Sequence, residues 1–259
     1  MAEVYEAVRE GPHGFAKRVA LKRILPQSIR DPEFMAMFIE EARLAARLEH
    51  PNIVQVFDFG EDHGELFIVM ELVDGTNLNR MLRRIARDRG TIPLEVALLI
   101  GARIAGALAY AHRLVDEEGK SCAIVHRDVS PANILVSRSG HAKLADFGIA
   151  TITSRLNTTE PGQVRGKLGY MSPEQVSGRG LDGKSDVFTL ATVLTELVTG
   201  EPLFGIGSVI DVLVRIRDAN VGTLERARGN FAEDARHLLL RGLARDPRER
   251  PTALSFSAE

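Results

Sequence analysis

The chain has 259 residues, of which 44% are hydrophobic and 26% charged, with a formal net charge of −2. This is ordinary globular composition, long enough for one large domain or two lobes, and it excludes a disordered chain. The near-neutral balance excludes a nucleic-acid-binding or membrane-surface protein held by bulk charge, and the single cysteine, Cys122, excludes an internal disulfide and points to a reducing, cytoplasmic setting.

In chain order, "EVYEAVRE" and "KRVALKRIL" alternate as strands do and flank a "GPHG" turn, so they predict a hairpin. Asp31 and Pro32 open a helix whose Phe34, Phe38, Glu41, Ala45 and Leu48 share a face. "NIVQVFDFGEDHGELFIVMEL" predicts two further strands, and "VDGTNL" reads as a linker. Helices are expected at 77–89 and 93–113. The second is apolar enough to suggest a membrane span, but Glu95 and Arg103 interrupt it and a buried helix suits it better. "IVHRDVSPANILV" reads as two short apolar strands around a polar loop, and "HAKLADFG" pairs with the second. A Ser-, Thr- and Gly-rich segment covers 151–169. Three helical stretches follow, beginning at "SDVFTLATVLTELVTG". The opening "MAEVYEAVREG" is polar and lacks the pattern of a secretory leader.

Several short motifs carry chemistry through their order and spacing. Lys22 lies in "VALK", Glu41 in the first helix, Asp128 and Asn133 in H-R-D-x-x-x-x-N, Asp146 in D-F-G, and Glu174 in "SPE". Any one of them alone is weak, because a lysine on a strand is usually solvated and an Asp before Gly usually makes a turn. Glu41 is more telling, since a carboxylate on an apolar helix face needs a cationic partner. Together, from the first residue almost to the last, these motifs resemble the protein kinase family, in particular the eukaryotic-like serine/threonine kinases of bacteria.

The resemblance implies an α+β fold of two lobes. A small β-rich lobe with one key helix is expected over residues 1–75 and a larger helical lobe over 76–259, with ATP between them. It implies that Lys22 holds the α- and β-phosphates, oriented by Glu41, and that Asp128 accepts the proton of a protein hydroxyl. Asn133 and Asp146 hold Mg2+, with Mn2+ as the alternative ion. Val4, Ala20 and Leu135 sandwich the adenine, Met70 is the gatekeeper, and the backbone of Glu71 and Val73 meets the ring. Asp186 anchors the catalytic loop, and Glu174 pairs with Arg250 behind the substrate-binding segment. Arg127 would receive a phosphate from the 151–169 loop, with Thr158 or Thr159 the expected autophosphorylation site and a homodimer the route for transfer in trans. His63, His112, His141 and His237 are expected to be surface or core residues.

The pattern departs from the family in three places. Where the family has G-x-G-x-x-G-x-V, "MAEV" aligns Ala2 with the third glycine and Val4 with the valine, so the first strand and two glycines are expected to be missing. Ser130 stands where the family carries a catalytic-loop lysine, and Lys167 stands at a position where it carries a threonine. The exchange implies that Lys167 restores the charge that Ser130 does not supply. The chain also stops at "RERPTALSFSAE", so the last helix is expected to be incomplete. The function expected is a serine/threonine protein kinase using Mg-ATP on protein substrates. The rival is a kinase-like scaffold, suggested by the absent glycines and Ser130 and opposed by Lys22, Glu41, Asp128, Asn133 and Asp146 together.

Overall fold

A computed structural model describes residues 2–24, 32–88, 92–147, 168–205, 207–222, 224 and 232–258, without the side chains of residues 32–34, 37 and 41. The expected hairpin is present as β1 (Ala2–Glu10) and β2 (Ala16–Ile24), joined by a tight turn in which Phe15 N–H donates to Pro12 O. With β3 (Val56–Asp62) and β4 (Glu65–Glu71) they form a four-stranded antiparallel sheet in the order β1-β2-β4-β3. The register sets Val4 opposite Lys22, Lys22 opposite Ile68, and Ala20 opposite Met70, so these five residues share one sheet face. Helix α1 (Pro32–Ala46) packs Phe38 and Ala42 against Ile24, Leu66 and Ile68.

The segment read as a linker instead supplies a strand. β5 (Gly75–Asn77) pairs with β6 (Ile134–Ser137), which pairs with β7 (Ala142–Leu144), so the strand falls across the 75/76 position and joins the sheet of the helical lobe. Glycine is required at 75, because a Cβ there would lie 2.0 Å from the Val136 carbonyl oxygen. Three residues are too few for alternation to show, which is why the sequence hides this strand. The expected strand at 124–126 is absent. Ile124 and Val125 are buried in extended chain without a strand partner, so their apolar character reports burial rather than sheet pairing.

Helices α2 (Leu78–Arg87) and α3 (Leu94–His112) follow the expected pattern. α3 is long and apolar enough to cross a membrane by length and composition, yet Ile100, Ile104, Ala105 and Leu108 are core residues of the helical lobe. After the short α4 (Pro173–Val176) comes α5 (Gly183–Thr199), buried from Ser185 to Val198. Such a helix has to satisfy its own polar groups. The hydroxyls of Thr189, Thr192 and Thr195 donate to carbonyls one turn back at 2.8–3.0 Å. Asp182 caps its start and Gly200 its end, the latter at φ 74°. α6 (Val209–Arg217), α7 (Glu233–Gly242) and α8 (Ala253–Ala258) complete the lobe, with Ala253 and Phe256 of α8 buried in the core.

Glu174 and Arg250 form a buried ion pair with two hydrogen bonds, at 2.6 and 2.9 Å. All five guanidinium N–H groups have acceptors, the other three being the carbonyls of Ala244, Lys184 and Arg245. The guanidinium also lies 4.8 Å from the Phe188 ring centroid. Burial pushes the Glu174 carboxyl up, but hydrogen bonds from Arg250 and Ser185 outweigh it and leave it below its ordinary value. The stability from this carboxylate is therefore complete above the ordinary carboxylate range and is lost as the pH falls through the lowered value. Arg250→Ala strands a buried carboxylate and should destabilise the protein by about 3–5 kcal/mol in urea denaturation at neutral pH. Glu174→Leu combined with Arg250→Met should recover most of that loss.

Candidate active site

The loop that carries Asp128 and Asn133 is held by one carboxylate. Asp186, fully buried in the first turn of α5, accepts the backbone N–H of His126 at 2.8 Å and that of Arg127 at 2.9 Å. Its Oδ2 also lies 2.8 Å from His112 Nε2, at the end of α3. Arg127 sits at φ 66°, a left-handed conformation unfavourable for a side chain of this kind, and its carbonyl receives the Gln175 amide at 2.8 Å. The anchoring residue expected at 186 thus has its partners. His112, read from sequence as an ordinary residue, is part of the same anchor. Its contact spans 74 positions, and nothing near it in the chain signals the partner.

The next residues are ordered from inside the loop. His126 is wholly buried, and its Nδ1 accepts the Asp128 N–H at 3.1 Å. Nε2 therefore carries the proton and donates to Ala145 O at 3.1 Å. The Phe147 ring lies 4.5 Å away. Asn133 Nδ2 donates to the carbonyl of Asp128 at 2.9 Å and to its Oδ2 at 3.1 Å. This turns the amide nitrogen toward Asp128 and leaves the amide oxygen as an acceptor. Asn133 is fixed in turn by its N–H to Ser130 O and by its carbonyl, which receives Ala145 N–H.

Lys22 and Asp146 meet across the two lobes at 2.8 Å, Lys22 from β2 and Asp146 from just beyond β7 at φ 57°. Ala45 of α1 lines the same small cavity as Lys22, Asp146, Met70 and Phe147. Beside it, Ala20, Val54 and Met70 form an apolar cluster with Val73 and Leu135 packed on it. Val4 lies outside that cluster, exposed on the sheet face it shares with Lys22. The Glu71 N–H already donates to Gln55 O, and its side chain pairs with Lys143 at 2.8 Å, so neither of these groups is open to a ligand. The structure thus brings Lys22, Asp146, Asp128, Asn133, Ala20, Met70, Val73 and Leu135 to one cleft region. The side chain of Glu41 and the residues Thr158, Thr159 and Lys167 lie outside the described set.

Burial pulls the His126 imidazole below its ordinary value, against the pull of Asp186 and Asp128 in the other direction. A lowered folded value means the unfolded chain takes up the proton first. The stability is then complete above about pH 6.5 and falls as the pH drops below that. His50, lowered chiefly by burial, adds to the same slope. Replacing His126 with Phe should flatten the decline in urea midpoint between pH 6.5 and 5, leaving the slope from His50.

Comparison with known proteins agrees with this geometry. The protein kinase domain family matches residues 1–258. The chain is 38% identical over 258 residues to the tyrosine-protein kinase MasK of Myxococcus xanthus, covering 99% of this chain and 40% of that protein. It is 35% identical over 231 residues to the serine/threonine-protein kinase PrkC of Bacillus subtilis, covering 89% and 34%. Among solved structures, the PknI kinase domain of Mycobacterium tuberculosis superposes with a TM-score of 0.69 at 32% identity, over all of this chain and 88% of the other. The chain spans two fifths or less of the length of these two curated relatives. On the evidence of that whole-length match and of a catalytic loop, a lysine and two acidic residues arranged around one cleft, this chain belongs to the protein kinase domain family.

Proposed function

We propose that this domain is an active protein kinase, transferring the γ-phosphoryl group of Mg-ATP to a hydroxyl on a protein, with serine and threonine as the acceptors. The observation that carries the reading is the Asp128–Asn133 pair. Asn133 binds one carboxylate oxygen of Asp128 and so fixes the orientation of the base. In the reaction the acceptor oxygen forms a bond to the γ-phosphorus, and the bond from that phosphorus to the ADP oxygen breaks with its electron pair. The hydroxyl proton passes to Asp128.

The donor set suits Mg2+, a hard cation that prefers oxygen ligands. Asn133 presents its amide oxygen because its nitrogen is committed to Asp128, and Asp146 offers a partly exposed carboxylate. The ion would supply charge neutralisation at the phosphates. Lys22 would bind the α- and β-phosphates, and its ammonium is already directed into the cleft by Asp146. Ala20, Met70, Val73 and Leu135 form an apolar surface for the purine. The presence together of Lys22, Glu41, Asp128, Asn133 and Asp146 argues against a scaffold.

The choice of serine and threonine rests on Pro131 in the catalytic loop and on relatives such as PrkC, which is named a serine/threonine kinase. Tyrosine is the second reading, favoured by the name of MasK. Autophosphorylation at Thr158 or Thr159 by a second copy, compensation of Ser130 by Lys167, and a cytoplasmic setting belong to the proposal on sequence grounds. Labelled Mg-ATP incubated with the chain and a generic basic protein should give label on serine and threonine after acid hydrolysis. Asp128→Asn should remove at least 99% of it. Label on tyrosine alone would favour the second reading, and label that survives in Asp128→Asn would contradict the role of this residue.

A further inference from the structure

The peptide unit between Arg127 and Asp128 is the last one before the base, and its plane sets where the Asp128 side chain leaves the main chain. Asp186 does not hold it. That carboxylate takes the N–H groups of His126 and Arg127, which belong to the two preceding peptide units. A carboxylate accepts an N–H but has no proton to offer a carbonyl. The Arg127 carbonyl needs a donor, and Gln175 Nε2 supplies one at 2.8 Å. The Asp128 N–H, at the other end of the same unit, goes to His126 Nδ1 at 3.1 Å. His126 is two residues away in the same loop, whereas Gln175 lies 48 positions on, in α4. The bond from Gln175 therefore registers this peptide unit to a separate element of the lobe. Arg127, at φ 66°, has a conformation that persists only where its surroundings over-determine it. Asp186 fixes its N–H side and Gln175 its carbonyl side.

The residue type at 175 follows from this bond rather than from the helix it caps. Gln175 is buried, its Oε1 accepts the Ser172 N–H at 2.9 Å, and its own N–H donates to Ser172 Oγ at 3.3 Å, completing the capping box of α4. A capping box takes glutamate as readily as glutamine. The Arg127 carbonyl does not, because glutamate would set a carboxylate oxygen against a carbonyl oxygen. The amide meets both demands, as acceptor toward Ser172 and donor toward Arg127. We propose that Gln175 is a positioning residue for Asp128: by holding the Arg127 carbonyl it fixes the main chain from which the base departs, while Asn133 fixes the rotation of the carboxylate. The inference rests on the phosphotransfer reading above. Gln175 acts through the Arg127 peptide unit and exchanges no proton.

Gln175→Glu separates the two bonds, since it keeps the acceptor for Ser172 and removes the donor for Arg127. In phosphate transfer from Mg-ATP to a generic basic protein, well below the Tm of every variant, kcat should fall about tenfold or more, as a small misplacement of a reacting group costs. The KM for ATP and the Kd of a non-hydrolysable Mg-ATP analogue should stay within about twofold. Gln175→Met, of similar length and without charge, should lose kcat to a similar extent, which separates loss of the donor from introduction of an anion. Ser208→Ala breaks the capping box of α6 instead, and should lower Tm with kcat within about twofold of wild type. Active wild type beside Gln175→Glu and Gln175→Met variants with undiminished kcat would overturn this inference and leave the phosphotransfer reading intact. So would a kcat that falls in step with nucleotide affinity, or one that falls equally in Ser208→Ala, since the effect would then be general loosening. Wild type that binds the analogue but transfers nothing would remove both.

Discussion

The site depends on the hydrogen bonds that Asp186 accepts from two consecutive backbone N–H groups. A left-handed Arg127 is unfavourable by itself, and a buried carboxylate without partners is more so. Each resolves the other. The carboxylate is satisfied by the N–H groups of His126 and Arg127 and by His112, and the backbone is held in the turn that leads into Asp128. Asp186 is placed for this by lying in the first turn of α5, where the helix N-terminus favours negative charge.

The same helix start organises more than the loop. Ser185 binds Glu174, Asp186 holds the catalytic loop, and Phe188 lies against the Arg250 guanidinium, so neighbouring residues of one buried helix tie together three separate parts of the lobe. Gln175, capped into α4 beside Glu174, reaches back to the Arg127 carbonyl and closes the circuit. The segment around Glu174 and Gln175 and the loop that carries Asp128 are therefore registered to the same rigid element. The link to the β-lobe is of another kind. The Lys22–Asp146 pair is partly exposed and screened by solvent, which suits a contact that has to rearrange around phosphates.

Much of this was legible in the residues. Lys22, Asp128, Asn133 and Asp146 could be read because each must be one particular side chain at a fixed offset in a short segment, whereas the Glu174–Arg250 pair, 76 positions apart, was expected only through the resemblance to the kinase family. What was not legible depends on distance along the chain. His112 to Asp186 spans 74 positions, Lys143 to Glu71 spans 72 and Gln175 to Arg127 spans 48, and no local pattern encodes such pairs. Residues 124 and 125 misled for a related reason. A buried run looks apolar whether it pairs with a sheet or not, and here the following N–H groups go to a side chain. Ser130 was visible as an unexpected residue type, but the burial of its hydroxyl was not.

The central claim is that Asp186 positions the base and takes no part in holding the nucleotide. Comparing phosphate transfer with binding of a non-hydrolysable Mg-ATP analogue, in wild type and Asp186→Asn, tests it most directly. The account predicts that kcat falls by at least a hundredfold while the Kd for the analogue stays within about threefold, because Lys22 and Asp146 are untouched. Undiminished kcat in Asp186→Asn, or a nucleotide affinity that falls in step with kcat, would contradict it.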